Sequence, residues 1–85
     1  MGYLYILYSA KLDRYYIGST SDIKRRFLEH QRGQTSSTAK GVPWELVFCK
    51  DYNCHAEAAF MEIKLKSWKS RRIIEDIVKN GKMVG

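Results

Sequence analysis

Proline occurs once, at Pro43, and cysteine twice, at Cys49 and Cys54. Two cysteines cannot build a disulfide framework, and nothing else in the chain marks an oxidising compartment. Long hydrophobic runs are missing. The longest, Tyr3 to Tyr8, falls far short of the roughly 20 residues that cross a bilayer. No charged leader precedes it, and Ile6 stands where a myristoylation signal after Gly2 wants Ser or Thr. There is no internal repeat, no low-complexity tract and no glycine-rich phosphate loop of the dinucleotide or P-loop type, which argues against a nucleotide cofactor. These absences together lead to the expectation of a soluble cytoplasmic protein (nucleoid-associated if bacterial) with no membrane partner. Acidic residues are also scarce. Nine Asp and Glu face fifteen Lys and Arg, a net charge of +6. That imbalance favours a polyanionic partner, nucleic acid before an anionic membrane surface, and is silent about fold.

What is present is compact. At 85 residues, with 45% hydrophobic, 13% aromatic and 28% charged positions, the chain is a globular unit rather than a disordered one. One domain over residues 1–80 is expected, with 81–85 as a flexible tail. Tyr3-Leu4-Tyr5-Ile6-Leu7-Tyr8 reads as a strand buried on both faces, and Tyr15-Tyr16-Ile17-Gly18 as its hairpin partner across the polar Lys11 to Arg14 turn. Thr20 or Ser21 is placed to cap a helix from Asp22 to about Arg32, with Gly33 as its left-handed stop. Residues 34–42 form a polar loop, and Trp44 to Cys49 alternates as a third strand. His55 to Trp68 carries two apolar stripes: Ala56, Ala59, Phe60 and Ile63 on one side, Ala58, Met61, Leu65 and Trp68 on the other. That pattern predicts a helix sandwiched between layers. A final helix, about Ser70 to Lys79, turns Ile73, Ile74, Ile77 and Val78 inward. The order β-β-α-β-α-α predicts an α+β (α/β) fold, a small three-stranded antiparallel sheet flanked by helices.

The polar residues on this frame admit two readings each. Glu62 and Lys66, spaced i, i+4, fit an ordinary surface ion pair. Tyr5 in an apolar strand fits a core aromatic with a satisfied hydroxyl. Arg26 with Lys24 and Arg25 fits a solvated basic face. His30 shares a helix side with Ile23, Arg26 and Phe27, so it fits either a packed imidazole or a site residue. A zinc set of Cys49, Cys54, His55 and His30 is disfavoured by its C-x₄-C-H spacing, and both cysteines read as small apolar residues. Basic residues cluster at Lys64, Lys66, Lys69, Arg71 and Arg72, and again at Lys24, Arg25, Arg26, Arg32 and Lys40. Such clusters neutralise phosphates without choosing a sequence.

Read in order, Tyr3-Leu4-Tyr5, Tyr16-Ile17-Gly18-Ser19-Thr20, Arg26 and His30, Gly41 to Val47, Glu57-Ala58 to Glu62, and Leu65-Lys66-Ser67-Trp68 resemble the GIY-YIG nuclease family. The resemblance runs from residue 3 to about 78. It implies a metal-dependent endonuclease that hydrolyses DNA by in-line attack of water and is structure- rather than sequence-selective. The implied setting is DNA repair or recombination, with branched or single-stranded DNA as the partner. It implies one Mg²⁺ or Mn²⁺ per active site, held by Glu62, with Arg26 and His30 near the scissile phosphate. Tyr5 and Tyr16 would be the motif tyrosines, Tyr5 the favoured general base. A free tyrosine titrates near ~10, so this role asks for a value lowered by metal or arginine. Lys24, Arg25, Lys40, Lys66, Lys69, Arg71 and Arg72 would hold the nucleic acid. Three departures stand out. Tyr3 takes the first motif's glycine position, Ser19 stands where many relatives carry lysine, and Asn80 is the nearest counterpart of a distal asparagine. They motivate an alternative, a non-catalytic nucleic-acid-binding module on the same fold. A small protein-interaction domain, charged only for solubility, is a third reading.

Overall fold

The structure, a computed structural model, describes residues 1–34 and 38–82. It contains β1 (Gly2–Ser9), β2 (Arg14–Thr20), α1 (Ile23–Gln31), a 3₁₀ turn (Ala39–Gly41), β3 (Glu45–Tyr52), α2 (His55–Trp68) and α3 (Arg71–Asn80). The three strands form one antiparallel sheet in the order β2-β1-β3, so the expected fold class holds.

The aromatic and aliphatic run of β1 occupies the centre of the sheet, where both faces need cover. Alternation sends Leu4 and Ile6 to one face, against Leu65 of α2 and Ile77 of α3. Tyr5 and Leu7 go to the other face, against Trp44 and the Ile23 and Phe27 side chains of α1. Strand β3 serves both clusters. Its register against β1 slips between the Ile6–Phe48 and Leu7–Leu46 pairs. A bulge of this kind reverses the side-chain alternation. Phe48 therefore joins the Leu4 cluster while Trp44, just before the strand, joins the Tyr5 cluster.

Local chemistry sets the ends of the elements. Asp13, at φ 52, turns β1 into β2. The cap of α1 is Asp22 rather than Thr20 or Ser21: its carboxylate accepts from Arg25 N at 3.1 Å, while Thr20 Oγ1 is engaged by Asp22 N. Gly33 at φ 71 ends that turn of chain as expected. Ser70 caps α3 by accepting from Ile73 N. Within the expected polar loop, Thr38 and Gly41 are buried, and residues 35–37 lie outside the described residues, as do residues 83–85 of the expected tail.

Two expectations fail. Helix α2 is not sandwiched. Ala58 and Leu65 are buried, but Phe60 and Ile63 are 64% and 68% exposed, because α3 packs against β3 and leaves the outer stripe of α2 uncovered. Neither cysteine joins the core. Cys49 and Cys54 are both exposed, the latter as the residue capping α2. Among the described residues no helix is long and apolar enough to cross a membrane.

Candidate active site

The site begins at Tyr5. In register it faces Gly18 on β2, and its ring lies across that glycine. A methyl group at position 18 would sit 2.5 Å from Tyr5 Cζ, so the strand tolerates only hydrogen there. The ring's hydroxyl reaches α1, where Oη lies 2.9 Å from His30 Nε2. His30 is fully buried, and its Nδ1 lies 2.8 Å from Thr38 Oγ1. Tyr16 closes the group, edge-on to His30 at 5.0 Å between ring centroids and 6.4 Å from Tyr5. Trp44 backs Tyr16 at 6.3 Å and donates its indole N–H to the Thr38 carbonyl at 2.7 Å. Every buried side-chain nitrogen and oxygen among the described residues has a partner.

Arg26, one turn before His30, donates to Glu29 Oε1 at 3.1 Å, and its charge acts on the Tyr5 phenol. Burial raises the Tyr5 phenol above its ordinary value despite this guanidinium. The lowering asked for by a base is therefore absent from the resting protein. Burial, then the Arg26 charge, pushes His30 down, so its imidazole is neutral near pH 7. Hydrogen bonding to Arg26 holds the Glu29 carboxyl low.

Glu62 arrives from the other face of the sheet. Ser19 precedes the end of β2 and alternation points it toward α2, where its hydroxyl donates to Glu62 Oε1 at 2.6 Å. Lys66 Nζ donates to Oε2, also at 2.6 Å, and lies 5.9 Å from the Tyr16 ring centroid. The charge of Glu62 reaches Tyr5 as well. Tyr5, Tyr16 and His30 thus lie together on the α1 side of the sheet with Arg26 one turn away, while Glu62 lies on the α2 side and is linked to them through Lys66 beside the Tyr16 ring. The surface-pair reading of Glu62 and Lys66 is also correct as geometry, since the bond exists.

At this edge a cleft of about 260 Å³ opens between the starts of α1 and α2, lined by Ser19, Arg25, Arg26 and His55 among others. His55 Nε2 lies 3.5 Å from Ser19 Oγ. Sequence reasoning missed His55 and Thr38 as neighbours of the site, for neither sits in a spaced pattern. Among the described residues no three His, Cys, Asp or Glu side chains group tightly enough to cage a metal. Glu62 is the carboxylate here that could serve a hard cation, once Ser19 or Lys66 yields one of its two engaged oxygens. Such an ion takes one or two carboxylates and completes its shell from substrate oxygens.

The basic residues divide. Arg25 pairs with Glu29, and Arg71 pairs with Asp13 and Glu75 while lying over Tyr15. Lys66 is held by Glu62. Lys24, Lys40, Lys69 and Arg72 are exposed and make no ion pair among the described residues. Lys66, Lys69, Arg71 and Arg14 surround a second cleft, about 330 Å³, floored by Ile17, Leu65 and Ile74.

A UPF0213 protein of Cronobacter sakazakii is 34% identical over 61 residues, covering 71% of this chain and 64% of its own length. The chain therefore spans a little under two thirds of that relative. The solution NMR structure of a UPF0213 protein from Bacillus halodurans superposes with a TM-score of 0.57 at 33% identity, over 93% of this chain and 84% of that one. The model of the GIY-YIG catalytic domain matches residues 1–75. With that model covering most of its length, the chain belongs to the GIY-YIG family, a family of nucleases.

Proposed function

We propose that the protein is a divalent-metal-dependent endonuclease that hydrolyses DNA phosphodiester bonds. One observation supports this above the others: two phenols and an imidazole lie together beside β2 with a guanidinium one turn away, and a carboxylate from the other face of the sheet is linked to them through Lys66. Mg²⁺ or Mn²⁺ at Glu62 would polarise the phosphate and acidify water. Arg26, a rigid fork of donors, suits a non-bridging phosphate oxygen, and Glu29 aims it. Tyr5 takes a proton from the attacking water while passing its own to the neutral Nε2 of His30. This relay removes the need for a phenolate in the resting state. Tyr16 shields the pair from solvent and lies close enough to share in proton handling. Lys66, freed from Glu62 when a cation takes its place, can turn to the phosphate backbone. Lys24, Arg25, Lys40, Lys69, Arg71 and Arg72 supply non-specific backbone contacts, with Arg71 first having to leave Asp13.

A domain with few contacts to choose a sequence suits branched, flapped or single-stranded DNA, as met in repair or recombination, and a cytoplasmic or nucleoid setting. The alternative, a binding module without chemistry, draws on the saturated Glu62 carboxylate and the raised Tyr5 phenol. Labelled duplex, fork, flap, four-way junction and single strand, each with Mg²⁺, Mn²⁺ or chelator, separate the two. Metal-dependent cutting should appear and fall at least ~100-fold in Glu62→Gln, the scale of losing one preorganised charge-stabilising group. An i, i+4 ion pair contributes only about 0.3–0.5 kcal/mol, so the variant's thermal midpoint should move by a few degrees at most. Equal cutting by both proteins would refute the nuclease reading. Salt-sensitive binding without metal-dependent product would establish the module.

A further inference from the structure

The imidazole of His30 touches two hydroxyl groups, Tyr5 at Nε2 and Thr38 at Nδ1. A neutral ring carries hydrogen on one nitrogen only, and the neighbours decide which. The Tyr5 hydroxyl is buried, and its oxygen lies 2.9 Å from Nε2. A buried hydroxyl donates to the acceptor within its reach, and a phenol is a stronger donor than the threonine alcohol at the far side of the ring, so its hydrogen is directed at Nε2. Nε2 must be bare to receive it, and Nδ1 therefore carries the hydrogen and donates it to Thr38 Oγ1.

Thr38 is well placed to hold this state. It is 1% exposed, and its carbonyl accepts from the Trp44 indole and from Gly41 N at 3.1 Å. The Trp44 ring lies against Gly41, where an added methyl would come 2.7 Å from Cε2. The backbone of Thr38 is thus held by the 3₁₀ turn and the tryptophan.

We propose that Thr38 is a positioning residue for the cleavage reaction: by accepting from Nδ1–H it locks His30 in the tautomer whose bare Nε2 faces Tyr5. The inference rests on reading Tyr5 as the group that activates water. In the step, the water O–H bond breaks and its proton goes to the Tyr5 oxygen. The Tyr5 O–H bond breaks and that proton goes to Nε2, and the hydroxide bonds to phosphorus as the phosphorus–oxygen bond opposite it breaks. The departing oxygen takes a proton from solvent, and His30 returns its proton through Tyr5 as product leaves. With the opposite tautomer, Nε2–H points at the phenol oxygen and nothing can receive the proton. Thr38 plays toward His30 the part that a carboxylate or carbonyl plays toward other catalytic or metal-bound histidines.

The test is long-range ¹H–¹⁵N spectroscopy of the full chain, labelled in its histidine rings, near pH 7 without metal or DNA. His55 is identified by its disappearance in His55→Gln. The wild type should show His30 with a bare Nε2 and a protonated Nδ1. Thr38→Val, matched in shape but without the hydroxyl, should lose that pattern, and Thr38→Ser should restore it. The kcat for DNA cleavage should fall by roughly 10–100-fold in Thr38→Val, the usual cost of losing a supporting partner, with KM unchanged and recovery in Thr38→Ser. Hydrogen on Nε2 in the wild type overturns the inference whether or not any variant folds. So does an unchanged His30 spectrum in Thr38→Val. The expected spectra in a protein whose Glu62→Gln variant cuts as well as the wild type would instead refute the nuclease reading and leave the Thr38–His30 assignment standing.

Discussion

Gly18 is bare because Tyr5 fills the space its side chain would need. The phenol and the glycine are one device, since the ring reaches His30 and Arg26 only by lying flat across the strand. Gly18→Ala should cost about 1–3 kcal/mol by overpacking and should cut activity more than stability, as the phenol is pushed off His30. Denaturant melts and cleavage rates of the variant check this; an active, fully stable Gly18→Ala protein would contradict it. His30 gives a second consequence at the same scale. Its folded pKa lies below the ordinary value of about 6.5. Below about pH 6.5 the unfolded chain takes up a proton that the folded chain resists, so stability is full above that pH and declines as pH falls. The urea midpoint should drop between about pH 7 and about pH 5.5, and drop much less in His30→Gln. Loss of the low-lying Asp13 and Glu29 carboxylates follows only in more acid solution, below about pH 4.

Elements differ in how plainly the pattern announces them. Strand β1 has side chains wanting cover at every position, and the central place in the sheet supplies it on both sides. Helix α2 announces the same need and does not receive it, for only its Ala58–Leu65 side meets the sheet. Periodicity reports which residues are apolar, not how many neighbours the topology brings. Leu65→Ala should therefore cost about 2–5 kcal/mol, whereas Phe60→Ala and Ile63→Ala should each stay within about 0.5 kcal/mol, as surface changes do. Comparable losses at all three positions in urea titrations would mean that the outer stripe is covered in solution. The β3 bulge belongs to this scale too. An alternating run from Trp44 to Cys49 would put Trp44 and Phe48 on one face; the slipped register sends them to opposite clusters, and so brings Trp44 behind Tyr16.

On the scale of the molecule, excess positive charge meets a site that straddles a sheet edge. Glu62 comes from one face and Tyr5, Tyr16, Arg26 and His30 from the other, with β2 as the rim between them. A phosphate strand following that rim would pass the cleft beside Arg26 and the cleft beside Lys69. Affinity for DNA should fall steeply with salt, and Lys69→Gln or Arg72→Gln should each lower the log–log slope by about 1. Arg71→Gln should change that slope less, because its guanidinium is already paired with Asp13 and Glu75. Fluorescence anisotropy at several salt concentrations reads all three; equal slopes throughout would place the DNA elsewhere.

Period-two and period-3.6 patterns, the capping Ser70 and the stop at Gly33 depend on neighbours a few residues away, so the order of elements and most of their limits were readable along the chain. Tyr5, Tyr16, Arg26, His30 and Glu62 were named through the resemblance of an ordered set of short motifs, which is likewise carried along the chain. Thr38, His55 and the bond from Ser19 to Glu62 were not. Each acquires its part through a partner 8 to 43 positions away, and such proximity exists only once β1 has been covered on both faces. The outer stripe of α2 and the reversal in β3 are of the same kind: hydrophobic residues state a demand, and the packing of the whole sheet decides which demands are met.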